Sequence, residues 1–194
     1  MANVSRINGF KPVKHKTGAP FNGQCTLYVF MSGYATAAYI GDVVKIVAGA
    51  DTVNGVRSVN LASAGDAACG VIVGFLPDPT NLNVAGTGKA ASTTRYVWVA
   101  DATDLVFEAE VSNGTPLYSS VGLNANHAIG SPSATLATSG AYLDFATFAN
   151  TATFTFKLVG FADRPDNEIG ASAKMLCTIN NHQLGASTGT VGLP

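Results

Sequence analysis

Apolar and polar side chains alternate in two segments of the chain, with the two-residue period that is typical of a half-buried β-strand. In residues 105–111 one face is apolar and the other acidic, and in residues 152–159 one face is apolar and the other mainly polar. The apolar faces carry Phe107, Ala109 and Val111 in the first segment and Phe154, Phe156 and Leu158 in the second. Each segment is therefore predicted to be a strand with one face on a hydrophobic core.

Five further segments are short and rich in branched or aromatic residues, and most are bounded by glycine or proline. They are residues 25–31, 42–48, 70–76, 95–100 and 174–179. No window of a dozen residues or more shows the 3.6-residue period of an amphipathic helix. The sequence therefore predicts an all-β fold, either a β-sandwich of the jelly-roll type or a β-barrel.

Three stretches lack this pattern, and they set the predicted domain organisation. Residues 1–24 contain several glycines and prolines and are predicted to form an extended N-terminal arm. Residues 25–184 are predicted to form a single core domain, and residues 185–194 a flexible tail. Within the core, residues 112–150 contain Asp144 as their one charged residue. A loop of this length is expected either to be functional or to hold elements that the pattern misses.

The composition indicates a surface that other molecules cover. Hydrophobic residues make up 47% of the chain and charged residues 12%, against about 25% charged residues in an ordinary soluble domain. A surface with so few ionised side chains is expected to be adhesive unless partners cover it. The net charge of −1 argues against direct nucleic-acid binding. No run of about 20 apolar residues predicts a membrane span.

The cysteines and the N-terminus bear on the compartment in which the chain folds. Cys25, Cys69 and Cys177 are odd in number and far apart, so neither a disulfide framework nor a zinc pair is predicted. The N-terminus has no continuous apolar stretch of the kind found in secretory signals. Both observations favour folding in a reducing cytoplasm.

Charge is divided unevenly along the chain. The first 41 residues hold four basic residues and no acidic ones, whereas the rest holds seven basic and twelve acidic residues. The basic residues of the arm are Arg6, Lys11, Lys14 and Lys16, and four acidic residues cluster at Asp101, Asp104, Glu108 and Glu110. The arm is interpreted either as solvated or as docking onto an acidic protein surface. The acidic cluster is interpreted as a solvated strand face, with an acidic contact face as the alternative.

No catalytic or metal-binding signature in the sequence is complete. Residues 185–189 match G-x-S-x-G, but no acidic residue or histidine follows to complete a triad. Residues 86–90 (GTGKA) lack the first glycine and the hydroxyl of a phosphate-binding loop. His15, His127 and His182 lie outside any metal-ligand spacing. The chain is therefore predicted not to be an enzyme and to have no catalytic residues, no metal and no cofactor.

Several short motifs, taken in their order along the chain, resemble those of capsid decoration proteins (cement or head auxiliary proteins) of tailed double-stranded DNA bacteriophages. The motifs are residues 8–13 (NGFKPV), 41–45 (GDVVK), 70–75 (GVIVGF), 96–101 (YVWVAD), 105–108 (LVFE), 161–168 (FADRPDNE) and 180–184 (NNHQL). The resemblance implies a β-rich protein that binds the outside of the major capsid protein shell. It also implies a homodimer or homotrimer at a local symmetry axis, with no catalytic residues.

The resemblance leads to the expectation of a structural virion protein that is made in the cytoplasm of the bacterial host. Such a protein would bridge neighbouring capsomers on the capsid exterior and stabilise the head against the internal pressure of its DNA. The expected capsid contacts are Arg6, Phe10, Lys11, Lys14 and Lys16, with residues 112–150 as a second contact. The expected oligomer contacts are Arg164, Asn167 and His182.

A carbohydrate-binding or host-attachment module displayed on the phage particle is the alternative function. Such a module needs an exposed aromatic platform or clustered polar residues on loops. Trp98, the single tryptophan, falls within a predicted strand, which argues against this alternative. The incomplete motifs argue against a small hydrolase, and the short chain without helices argues against a major capsid or tail-tube protein.

Overall fold

A computed structural model describes residues 3–78, 88–133, 136–185, 189 and 192 of the chain. These residues form fourteen β-strands and two 3-10 turns, and they contain no α-helix. The strands are β1 (Lys11–His15), β2 (Thr26–Phe30), β3 (Ala38–Tyr39), β4 (Val43–Ala50), β5 (Arg57–Leu61), β6 (Gly70–Phe75), β7 (Gly88–Lys89), β8 (Arg95–Ala100), β9 (Leu105–Ser112), β10 (Asn124–Ala125), β11 (His127–Ala128), β12 (Tyr142–Asp144), β13 (Phe156–Phe161) and β14 (Lys174–Ile179). The 3-10 turns are Tyr118–Ser120 and Phe145–Thr147. The prediction of an all-β fold is confirmed.

Five strands close a barrel in the order β2-β5-β4-β6-β8. Four of the five pairings are antiparallel, and the parallel pairing of β2 with β5 completes the ring. Successive side chains of a strand point to opposite faces, so Val44 and Ile72 lie inside the barrel while Val43 and Val71 face outward. The outward residues belong to a second core that lies between the barrel and a separate sheet.

The separate sheet has seven strands, and β9 is its centre. The strand order is β10-β13-β14-β9-β12-β11, and β1 joins it by pairing with β9. Strand β14 pairs with one edge of β9, while the other edge pairs with β1 over its first half and with β12 at its end. Phe107, Ala109 and Val111 of β9 are buried in the core against the barrel, as their alternation predicts.

All seven predicted strands are present, and residues 95–100 and 174–179 have the predicted boundaries. The prediction for residues 152–159 is displaced, because the strand begins at Phe156. Strand β5 is missing from the prediction because its sequence, RSVNL, mixes polar and apolar residues. Ser58 and Val59 of that strand are nevertheless both buried.

The N-terminal segment (residues 3–24), predicted as an extended arm, is extended but docked on the body of the protein. Strand β1 pairs with β9. Immediately before β1, Phe10 is buried in the second core, and its backbone N–H donates to the Gly41 carbonyl oxygen at 2.9 Å. A Cβ atom on Gly9 would lie 2.6 Å from that oxygen. Glycine is therefore required where these two backbones meet.

Residues 112–150, predicted as a long loop, contain β10, β11, β12 and both 3-10 turns. Each of these elements is two or three residues long, which is too short for a hydrophobic period to reveal. Of the two expectations for this stretch, the structure shows the presence of further elements, and a functional role stays a prediction. In the predicted tail, residues 186–188, 190, 191, 193 and 194 lie outside the described residues, so its flexibility stays a prediction.

Candidate interaction surfaces

A charged contact joins the N-terminal segment to strand β9. The Ser5 hydroxyl donates to Glu110 Oε1 at 2.7 Å, and the Arg6 backbone N–H donates to Glu110 Oε2 at 2.7 Å. Glu110 is buried beneath these residues, and hydrogen bonds to both oxygens offset the cost of taking a carboxylate out of water. The outer face of β9, predicted to be solvated, is therefore covered in part by the chain itself.

A second contact of this kind lies at the start of β9. His15 Nδ1 lies 3.0 Å from Asp104 Oδ2, and Lys16 Nζ donates to the Thr103 carbonyl oxygen at 3.3 Å. The hydrogen bond from His15 lowers the pKa of Asp104 below its usual value. Because Asp104 is exposed to solvent over nearly half of its side chain, this pair orients the segment more than it stabilises the fold.

The other two acidic residues of the cluster also have partners in the chain. Asp101 accepts hydrogen bonds from Thr26 Oγ1 at 3.0 Å and from the Tyr28 hydroxyl at 2.8 Å. Glu108 Oε1 lies 3.2 Å from Arg164 Nη1. All four acidic residues are thus engaged within the protein, two of them by the N-terminal segment. The acidic surface on which this segment docks belongs to its own chain.

Four of the five expected capsid-contact residues are exposed on the docked segment, and we call them the basic stripe. The basic stripe consists of Arg6, Lys11, Lys14 and Lys16. The expectation for Phe10 is corrected: 1% of its surface is exposed, and its ring stacks on Phe156 with a centroid distance of 4.5 Å. Phe10 anchors the segment in the core, so it has no surface to offer a capsid.

The three expected oligomer contacts differ in how accessible their side chains are to a partner. Arg164 is partly exposed and pairs with acidic residues of its own chain. The Asn167 side-chain amide donates to the Ala162 and Lys174 carbonyl oxygens at 2.8 and 2.9 Å, and its oxygen accepts from the Lys174 N–H at 2.8 Å. His182 is buried, and its Nδ1 accepts from the Leu184 N–H at 3.1 Å. Asn167 and His182 are therefore engaged in holding loops together, and Arg164 is the more accessible of the three.

Large apolar side chains are exposed in residues 112–150, the stretch expected to form the second contact. We call these side chains the apolar surface, and they are Leu117, Tyr118, Val121, Ile129 and Leu136. Tyr118 exposes 80% of its surface from the first 3-10 turn. The backbone of this stretch is held in place by pairing, for example through the Gly122 N–H, which donates to the Leu158 carbonyl oxygen at 3.0 Å. The side chains are therefore displayed from ordered backbone.

Trp98 lies in a strand, as predicted, but its side chain faces outward. Its neighbours Val97 and Val99 are buried inside the barrel, whereas Trp98 is 40% exposed. Together with Cys25 and Gly74 it lines an open groove of about 350 Å³. The V-W-V alternation in the sequence already indicates this orientation, because the tryptophan falls between two inward positions. The objection to an aromatic platform is thereby removed.

The residues of the incomplete chemical motifs have structural roles where the structure describes them. Lys89 is buried, and its ammonium donates to the carbonyl oxygens of Tyr34, Thr36 and Ala90 at 3.0, 3.1 and 2.9 Å. Residues 86 and 87 of the same motif, and residues 186–188 of the G-x-S-x-G match, lie outside the described residues. Within the described ranges, no group of three or more His, Cys, Asp or Glu side chains is placed to hold a metal ion.

His127 is an internal histidine beside the anchor of the N-terminal segment. Its Nε2 hydrogen-bonds to the Ala62 carbonyl oxygen at 2.9 Å, and its ring packs edge-on against Phe10 and Phe156. Burial lowers the pKa of His127 below its ordinary value. The neutral ring is therefore part of the core.

The search for related proteins gave no match to a family model, to a curated protein or to a solved structure. In the part of the chain that the structure describes, no helix has the length and apolar character needed to cross a membrane.

Proposed function

We propose that this chain is a structural virion protein that binds the outside of the major capsid protein shell and bridges neighbouring capsomers. Its role is to stabilise the head against the internal pressure of its DNA, without catalysis, as a homodimer or homotrimer on the capsid exterior. The observation that carries this proposal is the apolar surface, which displays large side chains from the described part of a stretch whose one charged residue is Asp144.

The side chains of the apolar surface are of the kinds found at the centres of protein–protein interfaces. Interface centres are poor in charged residues and rich in aromatic ones, and tyrosine is common among the residues that dominate affinity. Tyr118 and Ile129 are more than half exposed, so a partner that covered them would remove most of their apolar area from water. Each 100 Å² so covered contributes about 2.5 kcal/mol before the costs of association.

The basic stripe supplies a second region of contact with a different chemistry. Its cations are exposed on a segment that β1 ties to the sheet. A cationic surface accelerates association with an acidic one and fixes orientation. Two regions of one molecule that engage different capsomers would add their contributions, because the second contact forms at a high effective concentration.

The direct test is attachment to capsids that lack this protein. Purified protein is mixed with such capsids and sedimented, and heat-induced DNA release is compared between coated and bare heads. The proposal predicts co-sedimentation with saturable stoichiometry and a higher temperature of DNA release. Absence of co-sedimentation would refute it.

A matched pair of variants distinguishes binding through the apolar surface from non-specific hydrophobic adhesion. The double variant Tyr118→Ser/Ile129→Ser is expected to lower the affinity for capsids about tenfold or more, which corresponds to about 1.4 kcal/mol. Val53 is 82% exposed in the β4–β5 turn, and the Val53→Ser control is expected to bind as the wild type does. Equal occupancy of the double variant and the control would exclude the apolar surface from the contact.

We keep carbohydrate binding as a second candidate function because Trp98 is exposed at an open groove. Sugar rings stack on indole faces, and the groove of about 350 Å³ has room for one sugar unit. As the single tryptophan, Trp98 gives the only indole fluorescence of the protein. Titration with a panel of bacterial surface glycans should quench or shift that emission if the groove binds sugar. An unchanged spectrum with every glycan would eliminate this candidate.

A further inference from the structure

A small apolar pocket with a carboxylate in its lining lies between the barrel and residues 112–150. Its volume is about 170 Å³, which is room for about six water-sized groups at about 30 Å³ each. Leu61 of the barrel lines it on one side together with Ala37 and Tyr39 at β3, and Ile129 and Pro132 line it from the other. The walls are therefore mostly hydrocarbon.

Asp42 is the acidic group of this lining, and it is buried, with 5% of its surface exposed. Its Oδ2 accepts from the Tyr39 backbone N–H at 2.8 Å, and its Oδ1 accepts from the Ser139 hydroxyl. An ionised carboxylate offers about four acceptor positions, and these two hydrogen bonds use two of them. Among the ion pairs of the described residues, none involves Asp42.

We propose that this pocket binds a cationic nitrogen, an ammonium or guanidinium group, that is carried on a short aliphatic stem. The cation would meet Asp42, and the stem would lie against Leu61 and Ile129. Ile129 belongs both to this pocket and to the apolar surface, but the inference does not depend on the proposed function, because it is tested with small cations and without capsids.

Charge compensation is the physical reason for this choice of ligand. A buried carboxylate without a cation is costly, and a positive group that reaches it recovers much of that cost. An anion would be repelled, and a neutral alcohol would gain the apolar contacts alone. A protease pocket that selects lysine or arginine through a carboxylate at its base works by the same principle.

The pocket also sets the size of the ligand. An aliphatic stem of about four carbons with its nitrogen fits within the 170 Å³ of the pocket. An aromatic amine with twice as many heavy atoms as that stem does not fit. Lysine and arginine side chains of a partner have this form, and so do small free alkylamines. The two sources share one chemistry, and the test below distinguishes them.

The same carboxylate also has a structural role, so the test needs a variant that leaves it intact. Asp42 holds the turn at Tyr39, and through Ser139 it ties the barrel to residues 112–150. Asp42→Asn is therefore expected to affect both folding and binding. Ala37→Met fills the pocket from its half-exposed rim without removing any polar group.

The experiment is an NMR titration of the full chain that follows the amide signals of Tyr39, Gly130 and Gly140. The probes are n-butylammonium, n-butylguanidinium, the peptide acetyl-Gly-Lys-Gly-amide and, as the neutral control, butan-1-ol. We expect saturable shifts with a cation at an affinity at least about tenfold above that of butan-1-ol. Binding by the peptide assigns the site to a partner's side chain, and binding by the free amines alone assigns it to a small amine.

The variants and the pH dependence complete the test. Ala37→Met is expected to abolish the shifts, and Val53→Met, on a distant turn, to leave them unchanged. Burial raises the pKa of Asp42, and Tyr39 is the other titratable group in the lining. Cation affinity should therefore fall as the pH is lowered through the range in which Asp42 takes up its proton. Shifts of equal size with butan-1-ol, or no saturable shift with any cation, would overturn the proposal.

Discussion

Phe10 shows how one residue decides whether the N-terminal segment is an arm or part of the fold. Basic residues flank it in the sequence, which predicts a segment that is either solvated or docked on an acidic protein surface, yet its ring stacks on Phe156 inside the second core. The lysines around it remain in solvent. A buried aromatic side chain thus anchors a mostly polar segment, together with the pairing of β1 with β9 and the contacts to Glu110 and Asp104.

Replacing Phe10 tests that attachment. Phe10→Ala is expected to lower the free energy of unfolding by about 3–5 kcal/mol, because a buried aromatic ring is lost and a cavity is left. Urea denaturation followed by circular dichroism measures the change. Val13→Ala, on the exposed side of β1, is expected to change stability by less than about 0.5 kcal/mol. A Phe10→Ala loss as small as that of Val13→Ala would contradict the anchoring role.

His127 makes the stability of the protein sensitive to acid. Its pKa in the folded protein is lower than the ordinary 6.5 because of burial, so the unfolded chain binds the proton more readily. Stability is therefore retained above about pH 6.5 and lost as the pH falls, by up to about 1.4 kcal/mol per pH unit. His182, whose pKa burial also lowers, acts in the same direction, and the raised pKa of Asp42 acts in the opposite one.

The variant His127→Gln isolates this contribution. It removes the titrating group, so its stability should decline less between pH 7.5 and 5.5 than that of the wild type. The difference between the two urea midpoints as a function of pH is the quantity to measure, since the other titrating groups are common to both proteins. Parallel curves would show that His127 does not titrate in this range.

At the scale of elements, strand β9 shows which features of a strand can be predicted from the sequence and which cannot. Its existence and its core face follow from alternation alone. Alternation does not predict whether its outer face is exposed to solvent. Glu110 on that face is covered by Ser5 and Arg6, which lie about a hundred positions away in the chain. Local patterns specify which residues face a core, but only tertiary contacts decide which polar face stays in water.

The features of the candidate surfaces can likewise be divided into those that the sequence shows and those that only the fold creates. The low charge of residues 112–150 and the V-W-V alternation around Trp98 are visible in the sequence. The pocket at Asp42 is not, because Leu61 and Ile129 come together only when the barrel and the following stretch pack. Short elements such as β11 are set by their neighbours and carry no periodic signal of their own.

The contact between Glu110 and the N-terminal segment gives a prediction about local stability. Glu110→Gln removes the charge that the Arg6 N–H contacts at 2.7 Å, and a charge-assisted hydrogen bond is about twice as strong as a neutral one. The Arg6 amide is expected to exchange with solvent several-fold faster, while the β6 and β8 amides stay protected. Hydrogen exchange by NMR measures both. Asp163→Asn, at an exposed position, is the control, and unchanged exchange at Arg6 in Glu110→Gln would contradict the contact.

At the scale of the whole molecule, the proposed function depends on surfaces of two chemistries on one body. Deleting residues 1–16 would not test the basic stripe, because it would also remove Phe10 from the core. The exposed lysines can instead be substituted without removing Phe10 from the core. The basic stripe and the apolar surface can therefore be examined separately.

The triple variant Lys11→Gln/Lys14→Gln/Lys16→Gln is the test of the basic stripe. If the stripe contacts an acidic capsid surface, attachment of the wild type should weaken as salt is raised from low ionic strength, and the variant should show a smaller salt dependence. Sedimentation with capsids at several salt concentrations measures both. Arg57→Gln, which alters an exposed cation on β5, is the control. An identical salt dependence of the variant and the control would exclude the stripe.

The stacking of Phe10 on Phe156 also fixes when the protein can finish folding during its synthesis. A ribosome adds about 5–20 residues per second, so Phe10 waits about 7–30 s after it is made before Phe156 is added to the chain. During that interval the Phe10 side chain lacks its native neighbour in the nascent polypeptide. The second core therefore closes only after β13 has been synthesised, later than the barrel, whose last strand ends at Ala100.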